Sequence, residues 1–149
     1  MSIEIKSYEA LTKDEFHALI ALRIEVFVVE QNCPYQDLDG KDLLSFHLLL
    51  KDEKDQLIGT ARILPAGLSY PEISIGRVLT NAQNRKKGFG HEIMRECLAF
   101  VEQKWGDSVA IKISAQSHLK SFYNQHGFES TGKEYLEDGI PHSEMIKNN

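Results

Sequence analysis

At 149 residues, with 42% hydrophobic and 26% charged side chains, the chain is sized for one domain, 1–149, around a single core. Lys and Arg number 17 against 22 Asp and Glu, a formal charge of −5, which argues against a nucleic-acid backbone as partner because that needs a broad basic face. No apolar run approaches a membrane span, Met1 to Tyr8 lacks the layout of a signal peptide, and two cysteines, Cys33 and Cys97, make no disulfide framework, so a reducing cytoplasm is the expected setting.

Alternation from Ile3 to Ser7 predicts a short edge strand. Thr12 followed by Glu15 is a capping box, and Phe16, Leu19, Ile20, Arg23, Ile24 and Phe27 then recur at helical spacing, predicting a helix to about Glu30. Arg23 on that apolar side requires an acid or a carbonyl. Gln31 to Lys41 reads as a loop. Leu43 to Lys51, Leu57 to Leu64 and Ile73 to Thr80 read as three strands joined by short turns, hence an antiparallel meander. Ile93, Met94, Cys97, Leu98, Val101 and Trp105 form one apolar stripe of a helix ending near Gly106. A strand over Val109 to Ser114, a short helix over Ser117 to His126 closed by Gly127, and strands over Phe128 to Leu136 and Ile140 to Ile146, turned at Glu137-Asp138-Gly139, complete the chain. The order predicts an α/β fold in which a mixed sheet carries helices on its faces.

Between the third strand of the meander and the long helix stands Arg85-Lys86-Lys87-Gly88-Phe89-Gly90. Two glycines one residue apart let the backbone turn sharply and present N–H groups, and the helix that follows adds its own free N–H groups and the positive end of its dipole. The combination is an anion site suited to a pyrophosphate. It is not a P-loop, which needs GxxxxGK[ST], nor a dinucleotide fingerprint, since Ile93 occupies the place of the third glycine. A nucleotide-binding regulatory domain is therefore disfavoured.

Arg85 to Gly90 resembles the R/Q-x-x-G-x-G/A signature of the GNAT superfamily of acyl-CoA-dependent N-acetyltransferases, and Phe122 to Phe128 resembles its F/L-Y-x-x-x-G-F element. Val26 to Tyr35, Ile75 to Val78, Ser114 to Gln116 and Tyr135 to His142 resemble the ElaA subfamily, in the same order along nearly the whole chain. The resemblance implies a GNAT fold, its central, mostly antiparallel sheet splayed into a V-shaped cleft that takes acetyl-CoA. It implies that the backbone of Val78, Leu79 and Thr80 pairs with the pantetheine amides, and that Arg85, Lys86, Lys87, Gly88, Phe89 and Gly90 cradle the pyrophosphate. It implies acetyl transfer to a primary amine by direct attack in a ternary complex. A non-catalytic CoA-binding module or sensor is the alternative, and a homodimer is one open arrangement.

Tyr123 is the candidate general acid for the departing thiolate, its alternative being a core ring bonded to a carbonyl. For the base, Glu72 stands at the entrance to the central strand and His142 in the final hairpin, with Glu30 and His47 also in view. His47, in an apolar strand, reads as a satisfied structural histidine. Cys33 could line the acceptor site or act as a nucleophile, although no His-Asp partner set accompanies it. Cys97, in the helix stripe, reads as core. The histidines have no HExxH or CxxC companion spacing, so no metal is expected. Asp37, Asp39 and Asp42 read either as a solvated loop or as an anionic lip that attracts a cationic amine.

Overall fold

In the computed structural model, which describes residues 1–148, the first helix starts where the capping box puts it. Thr12 Oγ1 accepts from the Glu15 N–H at 3.0 Å, and the Glu15 carboxylate accepts from the Thr12 N–H at 2.9 Å. Lys6 and Lys51 hold the same carboxylate at 2.9 and 3.3 Å, pinning the helix to two strands. Burial alone would raise this carboxyl; the Thr12 N–H and the two ammoniums bring it down to about 2.

Helix α1 spans Lys13–Arg23 and runs on as a π-helix over Ile24–Glu30, in which the Gln31 N–H reaches the Val26 carbonyl at 3.2 Å and the Cys33 N–H the Val28 carbonyl at 3.0 Å. The buried face differs from the expected one. Leu19, Leu22, Arg23 and Val26 are buried, whereas Ile24 is exposed. Arg23 must face its acids, described below, and Leu22 and Val26 then fall against Leu79 of the sheet.

Strands β1 (Ser2–Ser7), β2 (Phe46–Lys51), β3 (Leu57–Leu64) and β4 (Ser74–Thr80) form one antiparallel sheet in chain order. β2 begins later than its apolar run suggests, because Lys41–Leu44 closes a 3-10 turn behind Gly40, whose φ of +83° suits glycine. Helix α2 (Phe89–Trp105) lies under this sheet, with Ile93, Met94 and Cys97 fully buried against it, as its apolar stripe requires. Burial pushes the Cys97 thiol up to about 12, which fits a core side chain.

Strands β5 (Ala110–Gln116), β6 (Glu129–Glu137) and β7 (Ile140–Asn148) form a second antiparallel sheet in the order β5-β7-β6, so the last strand lies in its centre. The β6–β7 hairpin turns on Asp138 and Gly139, with φ values of +52° and +78°, the signs of a type I′ turn. Helix α3 (Lys120–Asn124) follows a 3-10 turn at Ser117–Leu119 and closes before Gly127.

Among the described residues the two sheets share one parallel bridge, Ile73 to Ile111, with the Lys112 N–H donating to the Ile73 carbonyl at 2.9 Å. Beyond it β4 and β5 part. The fold is thus the expected mixed α/β arrangement, mostly antiparallel and splayed between β4 and β5. No helix among the described residues is long and apolar enough to cross a membrane.

Candidate active site

The glycine loop connects β4 to α2, and its two glycines serve different ends. Gly88 caps the helix at φ +82°, a conformation that side chains resist. Gly90 makes room, since a Cβ there would stand 3.3 Å from the Phe122 ring of α3. The first closed turn of α2 is the Glu92 N–H on the Gly88 carbonyl at 3.2 Å, which leaves the N–H groups of Phe89, Gly90 and His91 free of helical partners. Lys86 and Lys87 are exposed beside them. Arg85 turns the other way: its Nε donates to the Thr80 carbonyl at 3.2 Å and its guanidinium grips Glu30 of the π-helix, whose carboxyl that bond holds below its ordinary value. Its side chain braces the loop against the π-helix, while the free N–H groups keep Lys86 and Lys87 beside them.

Register in β4 separates its backbone groups. The Asn81 N–H donates to the Ile58 carbonyl at 2.8 Å, so alternation turns Leu79 toward β3 and Thr80 away from it. Leu79 therefore gives its backbone to the sheet and its side chain to the Leu22–Val26 cluster. Between Leu79 and Gly76 the strand bulges, since Thr60 pairs with Leu79 and Arg62 with Gly76, leaving Arg77 and Val78 both opposite Ala61. Arg77 takes φ +50° to do this, a strained position for a residue with a side chain.

The parting of β4 and β5 opens a cleft of about 600 Å³. Val78, Gly76 and Ser74 line it from β4, Ser114 and Gln116 from β5, and Tyr123 from α3. Tyr123 is otherwise core: its ring packs edge-on against Phe122 and Phe128, at 5.1 and 6.0 Å between centroids. Burial, with a smaller push from Cys97, raises its phenol to about 12, so it keeps its proton at neutral pH. His142 lines the cleft from β7. Its Nδ1 donates to the Ile140 carbonyl at 2.7 Å, which turns Nε2 toward Glu137 Oε2 at 3.3 Å. Tyr135 stacks on the same imidazole and bonds the Ser114 hydroxyl, tying the hairpin to β5.

Other expected residues lie elsewhere. Glu72 is absent from the cleft wall and sits 3.6 Å from Lys112 Nζ, so it is not brought to Tyr123 and His142. His47 is buried with Nε2 donating to the Asp42 carbonyl at 3.0 Å, and burial lowers its pKa, as befits a structural histidine. Cys33 does line the cleft, but its thiol points at the Asp138 carbonyl at 3.4 Å, and no histidine among the described residues bonds it.

The anionic lip is not what forms. Asp37 and Asp42 are buried and, with Asp39, face Arg23, Arg62 and Arg77. Arg23 bonds Asp37 at 2.9 Å and Asp42 at 2.7 Å; Arg62 bonds Asp39 at 2.8 Å; Arg77 reaches Asp37 at 3.0 Å. Burial would raise the Asp39 carboxyl, but bonds from Arg62 and the Lys41 N–H hold it far below its ordinary range, and Asp42 is held down in the same way by Arg23. Three guanidiniums cancel three carboxylates, so no field remains to draw a cation.

The sequence from residue 9 to residue 149 matches the family model described as the acetyltransferase (GNAT) domain. This chain belongs to the GNAT acetyltransferase family. Protein ElaA of Escherichia coli is 38% identical over 141 residues, which cover 94% of this chain and 92% of that protein. The crystal structure of that ElaA superposes with a TM-score of 0.91, covering 99% of this chain and 100% of its own. An acyl-CoA N-acyltransferase from Pseudomonas aeruginosa, 39% identical, also gives 0.91 with 99% of each chain covered. An aminoglycoside 6′-N-acetyltransferase complexed with coenzyme A shares the fold alone, at 14% identity and a TM-score of 0.71, with 97% and 96% of the two chains covered.

Within this GNAT domain, sequence reasoning passed over several residues of the cleft. Arg62 carried the same signal as Arg23, a lone cation in an apolar run, here the buried strand β3. Glu137 and the pair Gln31–Gln116, joined at 3.3 Å across the cleft, lie in the subfamily-like blocks, but only the fold brings each to its partner.

Proposed function

We propose that this chain is an acyl-CoA-dependent N-acyltransferase that moves an acetyl group from acetyl-CoA to a primary amine by direct attack in a ternary complex. The observation that carries the reading is the opening of β4 from β5 beside a bulge, with Tyr123 and His142 both on its wall. The outward Val78 carbonyl and Thr80 N–H take the pantetheine amides as an added strand does. The N–H groups of Phe89, Gly90 and His91, with Lys86 and Lys87, take the pyrophosphate. The fit is supported by the open space around Gly88, where even a Cβ would meet nothing within 4 Å.

When bound, acetyl-CoA supplies the activated acetyl group and a thiolate leaving group. The Val78 N–H, turned outward at the edge of the sheet, donates to the carbonyl oxygen on which charge develops, a contact of the kind whose loss costs about 3 kcal/mol of transition-state stabilisation. His142 Nε2 accepts the proton released by the attacking amine, and Glu137 steadies the resulting imidazolium. Tyr123 donates its phenolic proton to the sulfur.

Calorimetric titration with acetyl-CoA, followed by thiol release across a panel of primary amines, tests the reading. Tyr123→Phe is expected to lower kcat by about 100-fold or more while acetyl-CoA affinity holds. Unchanged kcat would remove Tyr123 from the mechanism. Selective acetyl-CoA binding with no turnover of any amine would favour the non-catalytic module.

A further inference from the structure

Taken with the transferase reading, the cleft wall opposite the hairpin says what else the amine carries. We infer that the acceptor bears an oxyanion, a carboxylate or a phosphate, seated on Lys41 and Ser74 at the end of the cleft formed by β3, the start of β4 and the 3-10 turn of Lys41.

Four features support this. Lys41 lines the cleft half-buried, and its Nζ has one protein partner, the Ser69 hydroxyl at 2.8 Å; no carboxylate lies within 4 Å among the described residues. An ammonium with three donors and one neutral partner, held in a cleft, is an open anion contact. Second, Ser74 is 6% exposed, lines the same cleft, and its hydroxyl bonds no protein group among the described residues. Third, Gly76 stands between Ser74 and the bulge, and a Cβ there would meet nothing within 4 Å, so the floor beside Ser74 is open. Fourth, Arg62 lies directly across from Gly76, is 5% exposed, and keeps an Nε with no hydrogen-bond partner.

Charge favours the same occupant. Arg23, Arg62 and Arg77 are matched by Asp37, Asp39 and Asp42, which leaves Lys41 as the excess cation on this wall. The opposite wall carries Glu137 beside His142. The cleft therefore carries a negative group where the amine must shed its proton and an unmatched cation on the wall of β3 and β4. A molecule with an amine at one end and an oxyanion at the other matches both walls, and its anion fixes which end meets the thioester.

The test compares paired amines as acceptors with acetyl-CoA: 4-aminobutyrate against butylamine, ornithine against putrescine, phosphoethanolamine against ethanolamine. In the best pair the anionic member is expected to show at least about tenfold higher kcat/KM, the size of one charge-assisted contact. Lys41→Met is expected to close that gap through KM. Whether carboxylate or phosphate is preferred follows from which pair shows it. Neutral members equalling the anionic ones, or a gap that survives in Lys41→Met, would overturn the inference. A second arm does not depend on turnover: CoA-saturated protein is titrated with butyrate and with inorganic phosphate by NMR. Saturable binding that Lys41→Met abolishes supports the subsite even if no amine reacts, in which case the transferase reading is what fails. No saturable binding of either anion to the unaltered protein overturns the subsite, whatever the amines do.

Discussion

Replacing Arg23 by methionine removes the guanidinium and keeps a chain of similar length. Arg23 is 1% exposed and donates four hydrogen bonds, to Asp37 Oδ2 at 2.9 Å, Asp42 Oδ1 at 2.7 Å, Asp42 Oδ2 at 3.2 Å and the Asp37 carbonyl at 3.3 Å. Without it Asp37 keeps Tyr35 at 2.8 Å and Arg77 at 3.0 Å, but Asp42 keeps a single long contact to Arg62 at 3.2 Å. Stranding a buried charge in this way costs about 3–5 kcal/mol, a large share of the roughly 5–15 kcal/mol that holds a domain of this size. Urea denaturation at neutral pH should show the loss as a lower midpoint at unchanged slope.

The pH dependence of that loss tests the cause. In the intact protein the folded-state pKa of Asp42 lies below its unfolded value, so the carboxylate adds stability above the unfolded pKa and loses it as pH falls through the folded one. In Arg23→Met burial is no longer opposed by the guanidinium, the folded pKa rises above the unfolded value, and protonation relieves the penalty. The difference between the two proteins should therefore shrink from about pH 7 toward about pH 4. A loss under about 1 kcal/mol, or one that does not change with pH, would refute the reasoning.

Gly88→Ala forces a side chain into φ +82° and is expected to cost about 1–2 kcal/mol of stability and to raise the KM for acetyl-CoA more than it lowers kcat; an unchanged KM would separate the loop from cofactor binding. Because the Tyr123 phenol holds its proton to about 12, acetyl transfer should climb as the amine deprotonates and show no falling limb from this group below that value. A falling limb centred near about pH 9 that disappears in Tyr123→Phe would contradict the assigned burial.

Local chemistry was legible from the residues, and encounters between distant residues were not. The capping box at Thr12, the buried stripe of α2 and the turn at Asp138-Gly139 each depend on neighbours within a few positions, and each forms as the chain predicts. Arg23 announced its need for an acid, yet its partners are 14 and 19 residues away, and the same aspartates looked like a free anionic surface until Arg62 and Arg77 arrived from the sheet. Arg77 shows why: its contact with Asp37 depends on a bulge at φ +50°, a backbone detail with no glycine to mark it. Likewise the passage from α1 into a π-helix shifted the buried face of an apolar run that reads as uninterrupted helix.

Among the described residues a single bridge, Ile73 to Ile111, joins the two sheets, so the molecule is two plates hinged at one corner. Mouth width is governed by what is wedged behind the hinge, chiefly α2 and the Tyr123–Phe128 packing, and not by a ladder of strand pairs. An empty cleft therefore exposes two strand edges that face each other without pairing, each a template for foreign backbone. A linear ligand with regularly placed amides acts there as a splint, joining the plates and capping both edges at once. Occupancy should then register as slowed amide exchange along β4, and as resistance to self-association, in a molecule whose own helices need not move.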